Sequence, residues 1–400
     1  MKVPFSPPDI TENEIEKVVE VLKSGWITTG PVTKKFEKDI SGYTGSKMTA
    51  CLNSATAAME ISLRILGIGP GDEVITSAYT YTASASVIDH VGAKIVMADT
   101  LPDSCLIDVE SLSSLINERT KAVIPVDIAG VPVDYKRIME ILEEKRGIYK
   151  PSNIVQEKLG RVALISDAAH SFGAVYEGKN VATLADFACF SFHAVKNLTT
   201  SEGGCICFGD IGEVPAERIY KGIMLISLHG QTKDAFSKQK VGGWEYDIVV
   251  PGYKCNMTDV HAAIGAGQLE RYDDILKRRK ELTKIYDDIL KGTKAVPIQH
   301  TGENYTGSHH AYIVRFKGAD VEKRNLIIEE MAKREVALNV HFKPLPLMTA
   351  YKSIGFRIEN YPNAYGFYKN AASLPLWSMM SDEQAIYTAE NLIEVMKEVL

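Results

Sequence analysis

Residues 161–170 read RVALISDAAH, an apolar run that changes abruptly into an acidic residue and then a histidine. The run is short and aliphatic and shows no polar alternation, which is typical of a strand covered on both faces of a parallel sheet. In open parallel sheets, ligands bind beyond the carboxyl ends of the strands. The sequence therefore predicts a buried strand that carries Asp167 to a ligand site, although a carboxylate here could equally cap the following helix.

Strands and helices alternate on the N-terminal side of this run. Apolar strands are predicted at 73–77, 94–98 and 122–126, and helices at 56–66, 83–91, 109–116 and 135–144. Such alternation indicates a mainly parallel central sheet with right-handed crossover connections. The polar stretch 147–160 interrupts the alternation, and we interpret it as a surface insertion.

The pattern changes after about residue 256. There the sequence predicts a long helical stretch at 261–290, strands at 310–316 and 336–342, a helix at 321–334 and a terminal helix from Ser381. These elements suggest two lobes: a large α/β domain over residues 1–255, which includes the N-terminal segment, and a smaller α+β domain over residues 256–400.

The first predicted helix carries an apolar stripe. Thr11 and Glu14 form a capping box at its start, and Gly25 ends it. The stripe consists of Ile15, Val18, Val19 and Leu22. A helix with such a face needs a partner surface to bury it.

Composition excludes several classes of protein. The chain has 400 residues, 45% of them hydrophobic, and a net charge of -6, so it lacks the basic balance of a nucleic-acid-binding protein. No apolar run is long enough to span a bilayer, and the N-terminus does not resemble a signal peptide. Six cysteines in so long a chain favour a reducing cytoplasm, and the spacing in Cys205-Ile206-Cys207 is too tight for the usual zinc site. We expect no metal, membrane or nucleic-acid partner.

A lysine follows an aromatic apolar stretch in FSFHAVK, residues 190–196. Many such lysines extend their ammonium group to solvent. A desolvated Lys196 would instead have a lowered pKa and become a nucleophile able to form a Schiff base. Residues 54–56, Ser-Ala-Thr, open a helix and could bind phosphate through backbone N–H groups, although a plain helix cap explains Ser54 equally well. Tyr79 and Tyr81 could pack in the core or stack on a flat ligand.

Taken in order, these segments resemble the DegT/DnrJ/EryC1/StrS aminotransferases, which share the fold-type-I architecture of aspartate aminotransferase. The resemblance runs through SGWITTGP at 24–31, GDEVIT at 71–76, DAAH at 167–170, FSFHAVK at 190–196, PGYKCNMTD at 251–259 and SLPL at 373–376. It implies a pyridoxal 5'-phosphate-dependent transaminase that works as a homodimer with active sites at the interface.

The same resemblance implies a role for each candidate residue. Lys196 would hold the cofactor as a Schiff base and move a proton, and Asp167 would keep the pyridinium nitrogen charged. Tyr81 would stack on the ring, and His170 would lie near its other face or its phenolic oxygen. The phosphate would be bound by Ala55, Thr56 and Ser191, and by Asn256 of the neighbouring subunit. His170 and Asn256 could also be ordinary buried polar groups with satisfied hydrogen bonds.

The resemblance also implies a substrate. The segments SFH at 191–193 and TSEGG at 200–204 match members that aminate C4 of a nucleotide-linked sugar. The pattern looks most like the members that make UDP-4-amino-4-deoxy-L-arabinose, but it departs from them in the 147–160 insertion and in Tyr81, where they have tryptophan. His193 and His341 are expected at the sugar site.

The expected reaction is transamination of a UDP- or dTDP-linked 4-keto sugar, with L-glutamate as amino donor, for glycan or lipopolysaccharide biosynthesis. Amination at C3, a cyclitol substrate, and a dehydratase or non-catalytic homologue on the same fold remain open. Some dehydrating relatives carry histidine where this chain has Lys196, so the lysine favours transamination.

Overall fold

A computed structural model describes residues 1–232 and 245–400. Its strands, in chain order, are β1 (Met48–Leu52), β2 (Glu73–Ser77), β3 (Lys94–Ala98), β4 (Thr120–Ile124), β5 (Ala163–Asp167), β6 (Val175–Tyr176), β7 (Lys179–Asn180), β8 (Phe187–Ser191), β9 (Gly204–Phe208), β10 (Ala295–Pro297), β11 (Tyr305–Thr306), β12 (Tyr312–Phe316) and β13 (Ala371–Leu374). Its α-helices are Glu12–Ser24, Pro31–Thr44, Ala55–Ile65, Ala83–His90, Leu112–Leu115, Tyr135–Glu144, Ile154–Leu159, Ala216–Ser227, Asp259–Glu270, Tyr272–Leu290, Val321–Lys333, Thr349–Ser353, Pro362–Tyr368 and Asp382–Val399.

The central sheet has seven strands in the order β1-β9-β8-β5-β4-β2-β3. Neighbours from β8 to β3 run parallel, whereas β9 is antiparallel to both β8 and β1. This mainly parallel α/β sheet confirms the predicted fold class. The strand predicted from residues 161–166 is β5, which ends one residue later, at Asp167.

Burial on both faces explains why these strands read as continuous apolar runs. All five residues of β5 are buried, with Ile165 in one hydrophobic core and Leu164 in the other. Helix Ala55–Ile65 contributes to the first core, and helix Tyr135–Glu144 contributes to the second. Because neither face of β5 meets water, its side chains need no polar alternation.

A second sheet, β10-β12-β13, is covered by a third hydrophobic core. This core joins Leu282 and Tyr286 of helix Tyr272–Leu290 to buried residues of helix Asp382–Val399. Helix Asp259–Glu270 belongs elsewhere, because its Ala262 packs in the second core of the large sheet. The division into domains between residues 255 and 256 therefore remains a proposal, because helix Asp259–Glu270 follows that boundary in the chain but packs in the core of the large sheet.

The structure refines one predicted element of the C-terminal part and contradicts another. The long helical stretch predicted at 261–290 is present as two helices, which meet at Arg271, where the side chain bonds to Asp9 and Glu14 of the N-terminal segment. The strand expected at 336–342 does not form. Val336 and Asn339 instead make isolated bridges to different segments, Val3 and Ser373, so no continuous ladder develops.

The stretch interpreted as an insertion contains the short helix Ile154–Leu159. Asn153 caps this helix by accepting hydrogen bonds from the backbone of Val155 and Gln156. The side chains of Asn153 and Gln156 also donate to the carbonyl of Leu66, at distances of 2.9 and 3.0 Å. The segment is therefore fastened to the C-terminal end of helix Ala55–Ile65.

The N-terminal helix leaves its apolar stripe uncovered within the chain. The backbone of Thr11 donates to the carboxylate of Glu14, so the predicted capping box is present. Ile15, Val19 and Leu22 are 48%, 39% and 54% exposed. The partner surface that this stripe requires is not supplied by the described part of the chain.

Candidate active site

A cavity of about 370 Å³ opens at the carboxyl ends of β5 and β8. The structure brings to it nearly every residue that the sequence nominated: Ala55, Thr56, Tyr81, Asp167, His170, Ser191, His193, Lys196 and His341. Of the residues given a role by the resemblance, Asn256 alone does not line it, and Tyr79, the other ring considered for stacking, is buried in the core. The cavity thus joins residues from five separate sequence segments at the edge of the sheet where ligands are expected.

Asp167 lies at the inner end of the cavity and is 4% exposed. Its carboxylate accepts hydrogen bonds from Ser84 Oγ at 2.6 Å and from the backbone N–H of Ala169 at 3.2 Å. Burial raises the pKa of Asp167, whereas these two donors and the charge of Lys196 oppose that increase. No ion pair reaches this carboxylate from the described residues, so a protonated ring nitrogen would supply the missing positive charge.

Lys196 follows β8 in a tight turn, in which its backbone N–H donates to the carbonyl of His193 at 2.9 Å. Its side chain lines the same cavity as Asp167 instead of extending away from the protein. Burial lowers the pKa of Lys196 to about 8, and Asp167 acts in the opposite direction. About half of the amine is therefore neutral at pH 8, as a nucleophilic lysine requires.

The predicted phosphate cradle, residues 54–56, lies at the start of helix Ala55–Ile65. Ser54 Oγ caps the helix by accepting from the backbone N–H of Ala57 at 3.0 Å. Among the described residues, nothing accepts from the backbone N–H groups of Ala55 and Thr56, which both line the cavity. Gly204 packs against this turn so closely that a Cβ there would lie 2.5 Å from the nitrogen of Ala55. The free N–H groups and the helix dipole suit a phosphate dianion.

Aromatic rings surround the middle of the cavity. Tyr81 is 60% exposed, and its ring centroid lies 5.8 Å from that of Phe342. Phe342 in turn lies 5.8 Å from the ring of His170. A flat heterocycle would find ring faces here, between the carboxylate at one end and the phosphate cradle at the other.

His170 is buried, and a backbone hydrogen bond determines which of its ring nitrogens carries the proton. Its Nδ1 accepts a hydrogen bond from the N–H of Ala129 at 3.1 Å. Burial, followed by the charge of Lys196, holds the pKa of His170 well below its usual range. The imidazole is therefore neutral, with its proton on Nε2.

The two histidines nominated for the sugar site differ in exposure. His193 is 47% exposed and lies 3.6 Å from the carboxylate of Glu202 at the mouth of the cavity. His341 lies deeper, with Nδ1 at 2.9 Å from Ser373 Oγ, and burial lowers its pKa to about 4.

Asn256 lies next to the phosphate cradle but is held by its own chain. It forms a bridge with Leu52 at the end of β1, and its amide donates to Thr29 Oγ1 at 2.5 Å. Its oxygen accepts from the ammonium group of Lys254. Its predicted contact with a neighbouring subunit's phosphate stays a prediction.

Three residues of the site were not nominated from the sequence. Ser84 donates to Asp167, Phe342 faces Tyr81, and His310 lines the cavity beside His170. His309 and His310 are adjacent at the start of a predicted strand, and this pair was a usable signal for His310. Ser84 had no such signal. Within the described part of the chain, no group of three or more His, Cys, Asp or Glu residues is arranged to hold a metal ion.

Comparison with known proteins gives one consistent result. The sequence profile of the DegT/DnrJ/EryC1/StrS aminotransferase family matches residues 8–393. The uncharacterized protein MJ1066 of Methanocaldococcus jannaschii is 37% identical over 399 residues, which are 99% of this chain and 97% of that protein. The spore coat polysaccharide biosynthesis protein SpsC of Bacillus subtilis is 34% identical over 402 residues, 100% of this chain and 97% of SpsC.

Solved structures agree. The PMP form of the putative sugar aminotransferase Spr1654 from Streptococcus pneumoniae has a TM-score of 0.97 and 50% identity, with 100% of both chains covered. Its PLP form has a TM-score of 0.96 at 49% identity, again over 100% of both chains. PseC of Helicobacter pylori, an aminotransferase involved in the biosynthesis of pseudoaminic acid, has a TM-score of 0.86 and 25% identity over 100% of both chains.

Proposed function

The chain belongs to the DegT/DnrJ/EryC1/StrS aminotransferase family, and from this membership we propose that it aminates C4 of a keto sugar linked to UDP or dTDP, with L-glutamate as amino donor. It is a pyridoxal 5'-phosphate-dependent sugar aminotransferase. The finer proposal adds the nucleotide, the position on the sugar and the donor. Its product would be a 4-amino sugar for a glycan or a lipopolysaccharide.

One observation carries the chemistry: a buried carboxylate that no described residue pairs in a salt bridge and an amine of lowered pKa share a cavity with an open helix N-terminus. Pyridoxal phosphate, when bound, supplies an electron sink for the negative charge that develops beside the transferred nitrogen. Asp167 would hold the proton on its ring nitrogen. Ala55, Thr56 and Ser191 would bind its phosphate group, and Tyr81 would cover its ring.

Lys196 would hold the cofactor and then act as the base that moves a proton at the reacting carbon. A pKa of about 8 suits both tasks, because the amine can lose and regain a proton near neutral pH. His170, neutral and with its proton on Nε2, would donate a hydrogen bond toward the cofactor's phenolic oxygen. Asp167, Lys196 and His170 thus each have a proposed function in the reaction.

The proposed substrate rests on the outer part of the cavity. Its wall contains His193, Glu202 and His341, which are suited to hydroxyl groups, and no arginine of the described residues lines it. The structural relative of 50% identity is described as a putative sugar aminotransferase, and SpsC as a spore coat polysaccharide biosynthesis protein. The 191–193 and 200–204 segments favour C4 over C3.

We also propose that two copies of the chain form the working enzyme in the cytoplasm. The uncovered stripe of the N-terminal helix borders an apolar groove of about 350 Å³, which reaches Ala194, Thr199 and Ser201 beside the catalytic lysine. A second copy covering this groove would complete the rim of the cavity, and Asn256 would then contact the partner's phosphate site. The six cysteines are all unpaired, which suits a reducing compartment.

A substrate panel tests the proposal. The purified protein, loaded with pyridoxal phosphate, is given glutamate and UDP- or dTDP-linked 4-keto sugars, a 3-keto sugar nucleotide or a keto cyclitol. Mass spectrometry and NMR then identify each product. We expect a 4-amino sugar nucleotide, and amination of only the 3-keto sugar or the cyclitol, or dehydration without amination, would contradict the proposal.

Replacing the lysine separates catalysis from folding. Lys196→Ala should reduce turnover by on the order of 10⁴-fold or more, because no other lysine among the described residues lines the cavity. Lys179→Ala is the matched control, since Lys179 is exposed on β7 and has no assigned role in the site. Full activity in Lys196→Ala would refute the mechanism.

A further inference from the structure

His310 is an unassigned imidazole inside the catalytic cavity. It stands just ahead of β12 and lines the cavity together with Lys196 and His341. Its ring centroid lies 4.4 Å from that of His170. The roles proposed above leave this side chain without a function.

Hydrogen bonds fix which nitrogen of His310 carries the proton. The amide nitrogen of Asn197 donates to the carbonyl of Ser308 at 2.7 Å, and a carbonyl can only accept. The amide oxygen of Asn197 must therefore face His310 Nδ1, which lies 3.0 Å away. Because that oxygen can only accept, Nδ1 donates, and the lone pair of the neutral imidazole is on Nε2.

The surroundings keep His310 neutral. Burial is the main cause of its strongly lowered pKa, and the facing groups His170, Lys196, Arg279 and His341 add to it. Arg279 also fixes the backbone here, because its guanidinium donates to the carbonyls of His309 and His310 at 3.0 and 2.7 Å. No described residue bonds to Nε2, so the cavity presents a hydrogen-bond acceptor that cannot become a donor near neutral pH.

The neighbouring imidazole, His170, carries its proton on the opposite ring nitrogen. His170 accepts at Nδ1 from the backbone of Ala129 and so carries its proton on Nε2. The two rings therefore offer one donor and one acceptor side by side. The acceptor does not suit the carboxylate groups of an amino-acid donor, which can only accept. It does suit a hydroxyl group.

We propose that His310 accepts a hydrogen bond from a hydroxyl group of the sugar near its reacting carbon, and that Asn197 positions it for this role. This inference rests on the proposed function, since it requires a hydroxylated substrate in the second half-reaction. His310 then selects the sugar and contributes little to the reaction with glutamate.

The first test follows the two half-reactions separately by the absorbance of the bound cofactor. His310→Phe keeps a ring but removes the acceptor, and His310→Gln restores an oxygen acceptor. With His310→Phe we expect kcat/KM of the sugar half-reaction to fall about 10- to 100-fold, mainly through KM, with partial recovery in His310→Gln. The glutamate half-reaction should change much less.

A deoxy substrate sharpens this test. With a keto sugar nucleotide that lacks the contacted hydroxyl, wild type and His310→Phe should react at similar rates. An equal loss in both half-reactions, or a loss that ignores the hydroxyl group, would overturn the inference. If the wild-type enzyme aminates no sugar nucleotide at all, the proposed function fails instead, and the two failures are thereby distinguished.

The second test reverses the polarity of Nε2. In Asn197→Asp, a carboxylate faces Nδ1 and raises the pKa of His310, so that Nε2 carries a proton at low pH. The rate of the sugar half-reaction should then decline as pH falls and recover as pH rises. The rate of the glutamate half-reaction should show no such additional pH dependence. Should the variant fail to fold, ¹⁵N NMR of wild-type holoenzyme still decides, because a proton found on His310 Nε2 would exclude the assignment.

Discussion

The inner wall of the cavity and its outer rim are built in different ways. On the inner wall, Asp167 and His170 are buried, and each is oriented by hydrogen bonds from Ser84 or the backbone of the same chain. On the rim, Tyr81 and His193 are 60% and 47% exposed. In the proposed enzyme, one chain therefore sets the chemistry in advance, whereas recognition of the substrate would depend on what closes over the rim.

Among the variants that compare the inner wall with the rim, the largest effect should come from the inner wall. Asp167→Asn removes the negative charge that would hold a protonated ring nitrogen, but it keeps the size of the side chain. Both half-reactions should slow by on the order of 10²–10³-fold, the usual cost of losing one preorganised electrostatic partner. Stopped-flow absorbance of the cofactor measures each half-reaction.

Ser84→Ala is the matched control for that charge. It keeps the carboxylate and removes the hydrogen bond of 2.6 Å to Asp167, together with the hydrogen bond of 2.8 Å between the hydroxyl groups of Ser84 and Thr80. The loss should be clearly smaller than in Asp167→Asn. If Asp167→Asn retained more than a tenth of wild-type activity, the charge of Asp167 would not determine the chemistry of the inner wall. The contrast with the rim would then disappear.

The second-largest effect is expected on the association of two copies of the chain, which is proposed to complete the rim. The pair of substitutions Ile15→Glu and Val19→Glu places charges on the uncovered stripe of the N-terminal helix. Burying these charges in an interface is costly, so the dimer dissociation constant should rise at least about a hundredfold. Analytical ultracentrifugation measures the association, and cofactor titration tests whether the monomer loses affinity.

Glu16→Gln controls for a change of charge on the same helix, since Glu16 is exposed outside the apolar stripe. It should leave the association unchanged. A double variant that remained dimeric would place the interface elsewhere, and a monomer with full activity would show that the rim needs no partner.

The same contrast separates what the sequence predicts well from what it predicts poorly. Strands β2 and β3 and helix Tyr135–Glu144 have the predicted bounds, because apolar period and capping residues are local signals. The strand expected at 336–342 is absent, because its bridges depend on Val3 and Ser373, which are far away in the chain. Local pattern could not reveal those partners.

The site divides in the same way. Asp167 and Lys196 were identified because each follows an apolar strand where a charged group is unusual. Ser84 was not, since its bond to Asp167 joins residues 83 positions apart. The bond of His310 to Asn197 spans 113 positions and fixes a tautomer that no spacing rule contains. Which side chains orient the chemistry is therefore a property of the tertiary structure.

The smallest predicted effect is a pH profile that belongs to the inner wall. Protein stripped of cofactor should take up pyridoxal phosphate faster as pH rises through about 8, because Lys196 must lose its proton before it can attack an aldehyde. At pH 7.5 about a quarter of an amine with that pKa is neutral, against about 0.1% for an ordinary lysine. Stopped-flow absorbance across this range measures the midpoint.

Two variants decide whether this profile belongs to the wall or to the rim. The charge of Asp167 raises the pKa of Lys196, so Asp167→Asn should move the midpoint to lower pH. Tyr81→Phe should leave it in place, because the pKa of Lys196 is set by burial and by Asp167, and the Tyr81 ring is largely exposed. A midpoint near that of free lysine would mean that the amine is fully hydrated, and the cavity could then no longer be the reason for its reactivity.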